Sequence, residues 1–166
     1  MKALSGPVAE GAALYRYESR AAQAVRRLKY SRVTTLIDTL AELIRIGYER
    51  MDLDEYDAIV PIPIHWRRRV WRGFNQADEL ASKLPKHKVR PELLWRIRAT
   101  KPQVRLSLQE RQTNLIGAFA ASKDVDRKSV LLVDDVRTSG HTSEQCALTL
   151  MDKGAVKVGL LTLTGE

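Results

Sequence analysis

Residues 130–142, VLLVDDVRTSGHT, decide how this chain folds. The apolar run 130–133 predicts a short strand buried on both faces, as parallel strands inside α/β domains are. Asp134 and Asp135 stand where that strand is expected to end. A turn of small and hydroxyl residues follows, and after it a helical pattern begins. The predicted buried face of that helix carries Cys146, Ala147, Leu150 and Met151.

The turn after the acidic pair predicts an anion-binding site. Backbone N–H groups at the N-terminus of a helix have no intrahelical partner and carry the positive end of the helix dipole, so they can hold a phosphate. Gly140 lets an anion approach without a Cβ in the way. A Walker-type loop is excluded because no lysine follows Gly140. The candidate phosphate-binding residues are therefore Thr138, Ser139, Gly140, His141 and Thr142.

The carboxylates of Asp134 and Asp135 would lie too close to such an anion to bind it themselves. They are better suited to accept hydrogen bonds from hydroxyl groups of the same ligand, and a sugar phosphate meets both demands. The alternative is an acidic pair that only binds a metal ion, as in phosphate-receiver domains. The hydroxyl-rich turn favours the sugar phosphate.

Composition sets the limits of the interpretation. The length of 166 residues fits a single domain, 1–166, and residues 1–11 are expected to form a loose lead-in. Cys146 is the sole cysteine, which excludes an internal disulfide and a cysteine-rich zinc site. The net charge of +8 suits polyanionic ligands. Without an apolar run of membrane-spanning length or a signal-peptide core, a cytoplasmic location with no membrane insertion is expected.

Apolar periodicity along the rest of the chain predicts alternating helices and strands. The pattern indicates an α/β fold with a mainly parallel, twisted sheet flanked by helices, and with the ligand at the carboxyl ends of the strands. Gly154 is predicted to end a helix, Cys146 and Trp95 to lie in the core, and His65 and His87 on the surface. Helices are predicted at 18–30, 33–48 and 74–84. A short edge strand is predicted at 13–17, and further strands at 57–61, 93–97, 116–121 and 156–164.

Arginines are concentrated just after the strand predicted at 57–61. They are Arg67, Arg68, Arg69 and Arg72. The carboxyl end of a parallel strand is where open α/β sheets bind ligands, and the guanidinium fork suits phosphate oxygens. A ligand-phosphate site, a plain basic surface loop, and a nucleic-acid track with Trp66 and Trp71 as stacking platforms are the three interpretations.

Several of these pieces together resemble the ComF-type (competence protein F) branch of the type I phosphoribosyltransferases. Residues 130–142 resemble the ribose-phosphate signature, with Ser139 where a second threonine is frequent. The segment from VPIP at 60–63 to RGFNQA at 72–77 resembles the ComF-type branch, and the whole resemblance covers about residues 15–166. Many relatives carry a zinc ribbon with paired cysteines before the transferase domain. This chain lacks those cysteines, so zinc is not expected.

The resemblance implies a reaction and a set of roles. The donor would be phosphoribosyl pyrophosphate with Mg²⁺, its 5′-phosphate on residues 138–142, and ribose 5-phosphate would pass to an unidentified acceptor. Asp134 and Asp135 would act as the catalytic pair, holding the ribose hydroxyls, stabilising the positive charge that develops on the sugar, and placing Mg²⁺ indirectly through donor and water. The leaving pyrophosphate would contact Arg67, Arg68, Arg69 and Arg72.

Residues 98–114 have no sustained apolar period and are rich in arginine, lysine and glutamine. Long loops of this kind in compact domains are functional lids or flexible segments, and both interpretations stay open. In the family the region corresponds to a mobile loop that closes over the donor. Its candidate donor contacts are Lys101, Gln103, Arg105 and Arg111.

A second class of function stays open beside the enzyme. Relatives are linked to natural competence and DNA uptake, so the resemblance also suggests single-stranded DNA or the competence machinery as partners. The alternative to the transferase is thus a non-catalytic single-stranded DNA-binding competence factor, whose affinity would depend steeply on salt. Dimers are common in the superfamily, which leaves a homodimer open. The direction of the arginines at 67–72, into the Asp134 cleft or outward, distinguishes the two classes.

Overall fold

The computed structural model describes residues 2–3, 6–16, 36–100 and 114–165. Within them the chain forms a five-stranded sheet and a separate two-stranded sheet. The strands are β1 (Lys2–Ala3), β2 (Glu10–Arg16), β3 (Ala58–Pro61), β4 (Leu94–Arg96), β5 (Phe119–Ala121), β6 (Ser129–Arg137) and β7 (Lys157–Gly165). The α-helices are α1 (Ile37–Arg50), α2 (Trp66–Arg72), α3 (Gln76–Leu80) and α4 (His141–Met151).

The large sheet is mainly parallel and has the order β1-β2-β7-β6-β3. Among the described strands of this sheet, only β1 runs antiparallel to its neighbour. Side chains of the central strand β6 alternate between two apolar clusters, with Val130 and Leu132 in one and Leu131 and Val133 in the other. The predicted α/β fold with a parallel sheet buried on both faces is therefore confirmed.

Helices cover both faces of this sheet. Leu40, Ile44 and Tyr48 of α1 join the cluster that contains Leu131. Cys146, Ala147 and Leu150 of α4 are fully buried in the cluster that contains Leu132. The prediction that Met151 shares that buried face is wrong, because one residue turns the helix by about 100° and leaves Met151 44% exposed.

The strand β6 extends beyond its predicted end at Val133. It continues to Arg137, so Asp134 and Asp135 lie within the strand rather than after it. The reason is the neighbouring strand β7, which runs alongside and pairs with β6 as far as Arg137 and Gly165. Backbone hydrogen bonding to a long partner outweighs the low strand propensity of aspartate.

The prediction that residues 1–11 form a loose lead-in is wrong for the last of them. Glu10 and Gly11 belong to β2 and pair with β7, and Val8 is buried. The strand that contains 13–16 is not at the edge of the sheet, because β1 pairs with its other side. The predicted helix 18–30 lies outside the described residues.

Other elements differ from their predictions in length or orientation. Trp95 is 43% exposed, because strand alternation turns the neighbouring Leu94 inward. The segment 74–84 forms α3 and a 3₁₀ turn at Ala81–Lys83 instead of one helix. Strand β5 begins at Phe119, and α1 begins at Ile37 within the described residues and runs on to Arg50. No helix in the described part of the chain is long and apolar enough to cross a bilayer.

Gly154 gives a first prediction about stability. It lies in the left-handed region with φ of +97°, and a Cβ there would approach Asp126 Oδ1 to 2.3 Å. Gly154→Ala is expected to lower the free energy of unfolding by about 2 kcal/mol, through backbone strain and this contact. Gly73→Ala is the matched control, with φ of +89° and no atom of the described residues within 4 Å of its Cβ position. In urea unfolding, an equal loss in both variants would show that the Asp126 contact adds nothing.

Candidate functional site

A shallow pocket, partly open to solvent, lies beside β6, β7 and the N-terminus of α4. All five residues of the predicted anion turn, 138–142, lie in its wall together with Asp134. Leu160 and Thr162 of β7 also line this pocket. One strand, one turn and one helix N-terminus therefore bring a carboxylate and several donors to the same place.

The turn has a defined conformation. Gly140 precedes the first residue of α4 with φ of +79°, and a Cβ at this position would lie 3.3 Å from Glu144 Oε1. Ser143 Oγ donates to the carbonyl oxygen of Gly140 at 2.8 Å, and a hydrogen bond of 2.8 Å joins His141 Nδ1 and Ser139 Oγ. Glycine suits this position because the left-handed conformation disfavours other residues.

The two carboxylates differ in position. Asp134 is partly exposed and lines the pocket, whereas Asp135 is 4% exposed and does not line it. They are adjacent in a strand, so their side chains leave opposite faces of the sheet. The backbone N–H of Asp135 donates to Asp134 Oδ1 at 2.8 Å. The prediction that the two acids follow the strand is therefore wrong, whereas their contacts with ribose hydroxyl groups stay a prediction.

The arginine-rich segment is helix α2 rather than a loop. His65 caps it, with Nδ1 accepting from the backbone N–H of Arg67 at 3.3 Å. His65 is only 6% exposed, so its predicted surface position is wrong, whereas His87 is exposed as predicted. The cap explains the burial of His65, because the ring must fold back onto the start of the helix.

Helical geometry separates the arginines. Arg68 and Arg72 are partly buried, four residues apart on one face, and Arg67 and Arg69 are exposed. Their contacts differ accordingly. Of the partly buried pair, Arg68 donates to the carbonyl oxygen of Thr100 at 3.3 Å and Arg72 donates to Gln76 Oε1 at 3.0 Å. Of the exposed pair, Arg69 lies 3.8 Å from Asp78, and the guanidinium of Arg67 lies 5.4 Å from the centre of the Trp66 ring.

Arg96 is a candidate site residue that the sequence interpretation missed. It lies on β4 with its guanidinium 5.2 Å from the centre of the Phe119 ring, and it donates to Thr100 Oγ1. Its Nε atom is buried and has no hydrogen-bond partner among the residues that the structure describes. Burial, assisted by the positive charge of Arg68, lowers the pKa of Arg96 to about 10, and Asp134 opposes this change. Arg96 therefore stays charged at neutral pH and interacts electrostatically with both residues.

Two sequence signals bear on the residues that were missed. Leu94 is buried, so strand alternation points Arg96 to the same side and Trp95 outward. Arg137 stands within the stretch that decides the fold, and it too lines the pocket. Lys101, Gln103, Arg105 and Arg111, predicted for the mobile loop, lie outside the described residues.

The sheet, its flanking helices and the pocket at the start of α4 define the class: this is the type I phosphoribosyltransferase fold. The solved structure of the allosteric regulatory enzyme of purine biosynthesis shares it, with a TM-score of 0.52 and 18% sequence identity over 77% of this chain and 26% of that one. No protein-family model matches the chain.

Sequence comparison then gives the particular relatives. The chain is 34% identical over 142 residues to DNA utilization protein YhgH of Escherichia coli K12, and 33% identical over 144 residues to competence protein F of Haemophilus influenzae. Each match covers 81% of this chain, which spans 62% and 63% of the two relatives. The resemblance to the ComF-type phosphoribosyltransferase-like proteins is confirmed.

Proposed function

We propose that this protein binds phosphoribosyl pyrophosphate with Mg²⁺ and transfers ribose 5-phosphate to an acceptor nucleophile. One observation carries the proposal: Asp134 and the whole anion turn 138–142 line the same pocket. A ligand with a terminal phosphate and neighbouring hydroxyl groups matches this combination of donors and acceptor. The relatives' names suggest that the reaction serves DNA utilization or competence.

The residues of the pocket would divide the work as follows. The amides at the start of α4 receive the 5′-phosphate, since the N-terminus of a helix presents N–H groups and the positive end of the helix dipole. Asp134 accepts hydrogen bonds from the ribose hydroxyls and stabilises the positive charge that develops as pyrophosphate leaves. Because the leaving group is already activated, positioning and exclusion of water account for most of the catalysis.

Magnesium fits the pocket. The carboxylate of Asp134 and the hydroxyl groups of the turn are hard oxygen ligands, and Mg²⁺ takes few protein oxygens while keeping several waters. Asp134 would hold the metal, directly or through water, and the metal would neutralise charge on the departing pyrophosphate. Asp135, on the other face of β6, would contribute less than Asp134.

For the pyrophosphate itself we favour Arg68 and Arg96 over the full set of α2 arginines. Both donate to Thr100. The charges of Asp134 and Arg68 both act on Arg96. Arg67 and Arg69 are exposed and engage Trp66 and Asp78 instead. Two guanidinium groups side by side suit a multiply charged anion.

Two assays test the transferase. Isothermal titration with phosphoribosyl pyrophosphate and Mg²⁺ is expected to give saturable heat, and a screen of nucleobases and amines is expected to find an acceptor that releases pyrophosphate. No heat at millimolar donor would refute donor binding. Binding without release for any acceptor would reduce the proposal to a donor-binding protein.

A second candidate, binding of single-stranded DNA, is favoured by the exposed aromatic side chains of α2. Trp66 and Trp71 are 61% and 62% exposed, and Arg67 lies over Trp66. Aromatic side chains beside arginine are typical stacking platforms for bases. Trp66 and Arg68 are two residues apart in α2 and so do not share a face, which would let the two functions use different sides of one helix.

The DNA candidate has its own test. Affinity for a labelled oligothymidine is expected to fall about tenfold in Trp66→Ala, the loss of one stacked base, and to fall steeply with salt. Trp95→Ala is the control, since Trp95 is exposed on β4. Equal losses in both variants, or an affinity that is unchanged between low and physiological salt, would count against a DNA surface on α2.

A further inference from the structure

Arg137 ends strand β6 at the mouth of the pocket. Its backbone is paired with Gly165 of β7, which fixes where the side chain begins. The guanidinium leans over the anion turn: Nε and one terminal nitrogen lie 3.6 and 3.7 Å from where a Cβ on Gly140 would be. Arg137 therefore borders the same space as the amides of the turn.

The carboxylates near the anion turn would make a nearby cation favourable for a bound phosphate. The turn residues 138–142 offer amides and hydroxyl groups, and the helix dipole adds only about half a positive charge. Two carboxylates act in the opposite sense, since Asp134 lines the pocket and Glu144 Oε1 lies 3.3 Å from the same Cβ position at Gly140. A phosphate dianion on the turn would be repelled by these two carboxylates, and the guanidinium of Arg137, which borders the same turn, would offset that repulsion.

Arg137 is available to supply this charge. The side chain is partly buried, and among the described residues it makes no ion pair within 4.0 Å, with Glu144 or any other carboxylate. A guanidinium that is partly removed from water and faces an anion turn gains most from a ligand that completes its hydrogen bonds.

We infer that Arg137 is a phosphate-binding residue that sets the preference of this pocket for a doubly charged terminal phosphate. The inference rests on the proposed function and deepens it, because it names the group that offsets Asp134 and Glu144. Arginine at the end of β6 would hold two phosphate oxygens from one side while the α4 amides hold the phosphate from the other.

Isothermal titration with ribose 5-phosphate tests the inference without requiring turnover. Arg137→Gln is expected to weaken binding about tenfold or more, the loss of a charge-assisted hydrogen bond, and Arg137→Lys is expected to recover most of it. Lys153→Gln is the control, since it removes one charge from an exposed residue beyond the other end of α4. Titration with ribose 5-sulfate, a singly charged analogue, is expected to show a much smaller effect of Arg137→Gln.

The outcomes separate the inference from the function on which it rests. Binding to the wild-type protein that Arg137→Gln leaves within twofold would overturn the role of Arg137 and leave the sugar-phosphate site standing. No binding of ribose 5-phosphate or the pyrophosphate donor to the wild-type protein would overturn both. If Arg137→Gln does not fold by circular dichroism, Arg137→Met and Arg137→Lys provide the comparison, and equal affinities in these two would also overturn the inference.

Discussion

Replacing Asp134 with asparagine is expected to lower pyrophosphate release by about two orders of magnitude or more. Asparagine keeps the size of the side chain and removes its charge, so the hydroxyl contacts become weaker and the developing positive charge on the sugar loses its nearest carboxylate. Asp134 lines the pocket with residues 138–142, which is why the effect should appear in the chemical step.

Two variants make this result interpretable. Asp152→Asn removes a carboxylate from an exposed residue just after α4 and is expected to leave the rate unchanged. Asp135→Asn is expected to reduce the rate less than Asp134→Asn, because Asp135 is buried on the other face of β6. A larger loss from Asp135→Asn would mean that the ligand reaches both faces of the strand and that this division of roles is wrong.

The thermal stability of Asp134→Asn decides whether a lost rate has a catalytic cause. Asp134 Oδ1 accepts from the backbone N–H of Asp135, and the amide oxygen of asparagine can accept the same bond. Unfolding of the variant should therefore stay close to that of the parent protein, with only the attraction between Asp134 and Arg96 lost. A drop in melting temperature as large as the loss in activity would point to a structural role.

The anion turn could be predicted from the sequence because its parts are consecutive. Residues 138–142 follow β6 directly and begin α4, so local geometry alone brings them to one pocket with Asp134. Gly140 adopts a positive φ just before the helix, a conformation that glycine tolerates better than other residues. Sites made from one continuous segment need no knowledge of the remaining fold.

The arginine contacts could not be predicted in the same way, because they depend on elements distant in the chain. Arg67 to Arg69 are neighbours in sequence, yet a helix turns them to different sides. Arg96 comes close to Arg68 because β4 pairs with β5 and holds the chain at Thr100 beside α2. Residues adjacent in sequence therefore have different contacts in α2, whereas Arg68 and Arg96 interact although they are distant in sequence.

The predicted boundaries of two strands, β6 and β2, were wrong for a related reason. The apolar run 130–133 marks the part of β6 that is buried on both faces, whereas pairing with β7 carries the strand through Asp134 and Asp135. Glu10 and Gly11 lie in β2 for the same reason, since β7 offers them partners. Backbone pairing extends beyond the apolar pattern wherever a long neighbouring strand remains.

Gly159→Ala is expected to be the most destabilising small substitution considered, costing about 3 kcal/mol of unfolding free energy. Gly159 lies in β7 between β2 and β6, paired with Glu10 on one side and Leu131 on the other. A Cβ there would lie 2.1 Å from Tyr56 Oη and 2.6 Å from Tyr56 Cζ. Because two ladders hold the backbone, the strand cannot withdraw from the ring.

Tyr56 cannot withdraw easily either. Its side chain is fully buried, its hydroxyl donates to Glu10 Oε1 at 2.7 Å, and Lys157 Nζ lies 5.0 Å above its ring while pairing with Glu10 at 2.7 Å. Moving the ring to admit a methyl group would break this arrangement and leave the hydroxyl without its acceptor. The cost of the alanine therefore combines overpacking with a disturbed polar contact.

A double-mutant cycle isolates this contact. Tyr56→Ala alone is expected to cost about 3–5 kcal/mol through the cavity that it leaves. Adding Gly159→Ala to Tyr56→Ala should cost little, since the new methyl group enters space that the ring has vacated, and the coupling energy in urea unfolding should be large. Additive losses would mean that glycine is required at 159 for its backbone alone. A loss below about 1 kcal/mol for Gly159→Ala would contradict the close packing of Tyr56 on β7.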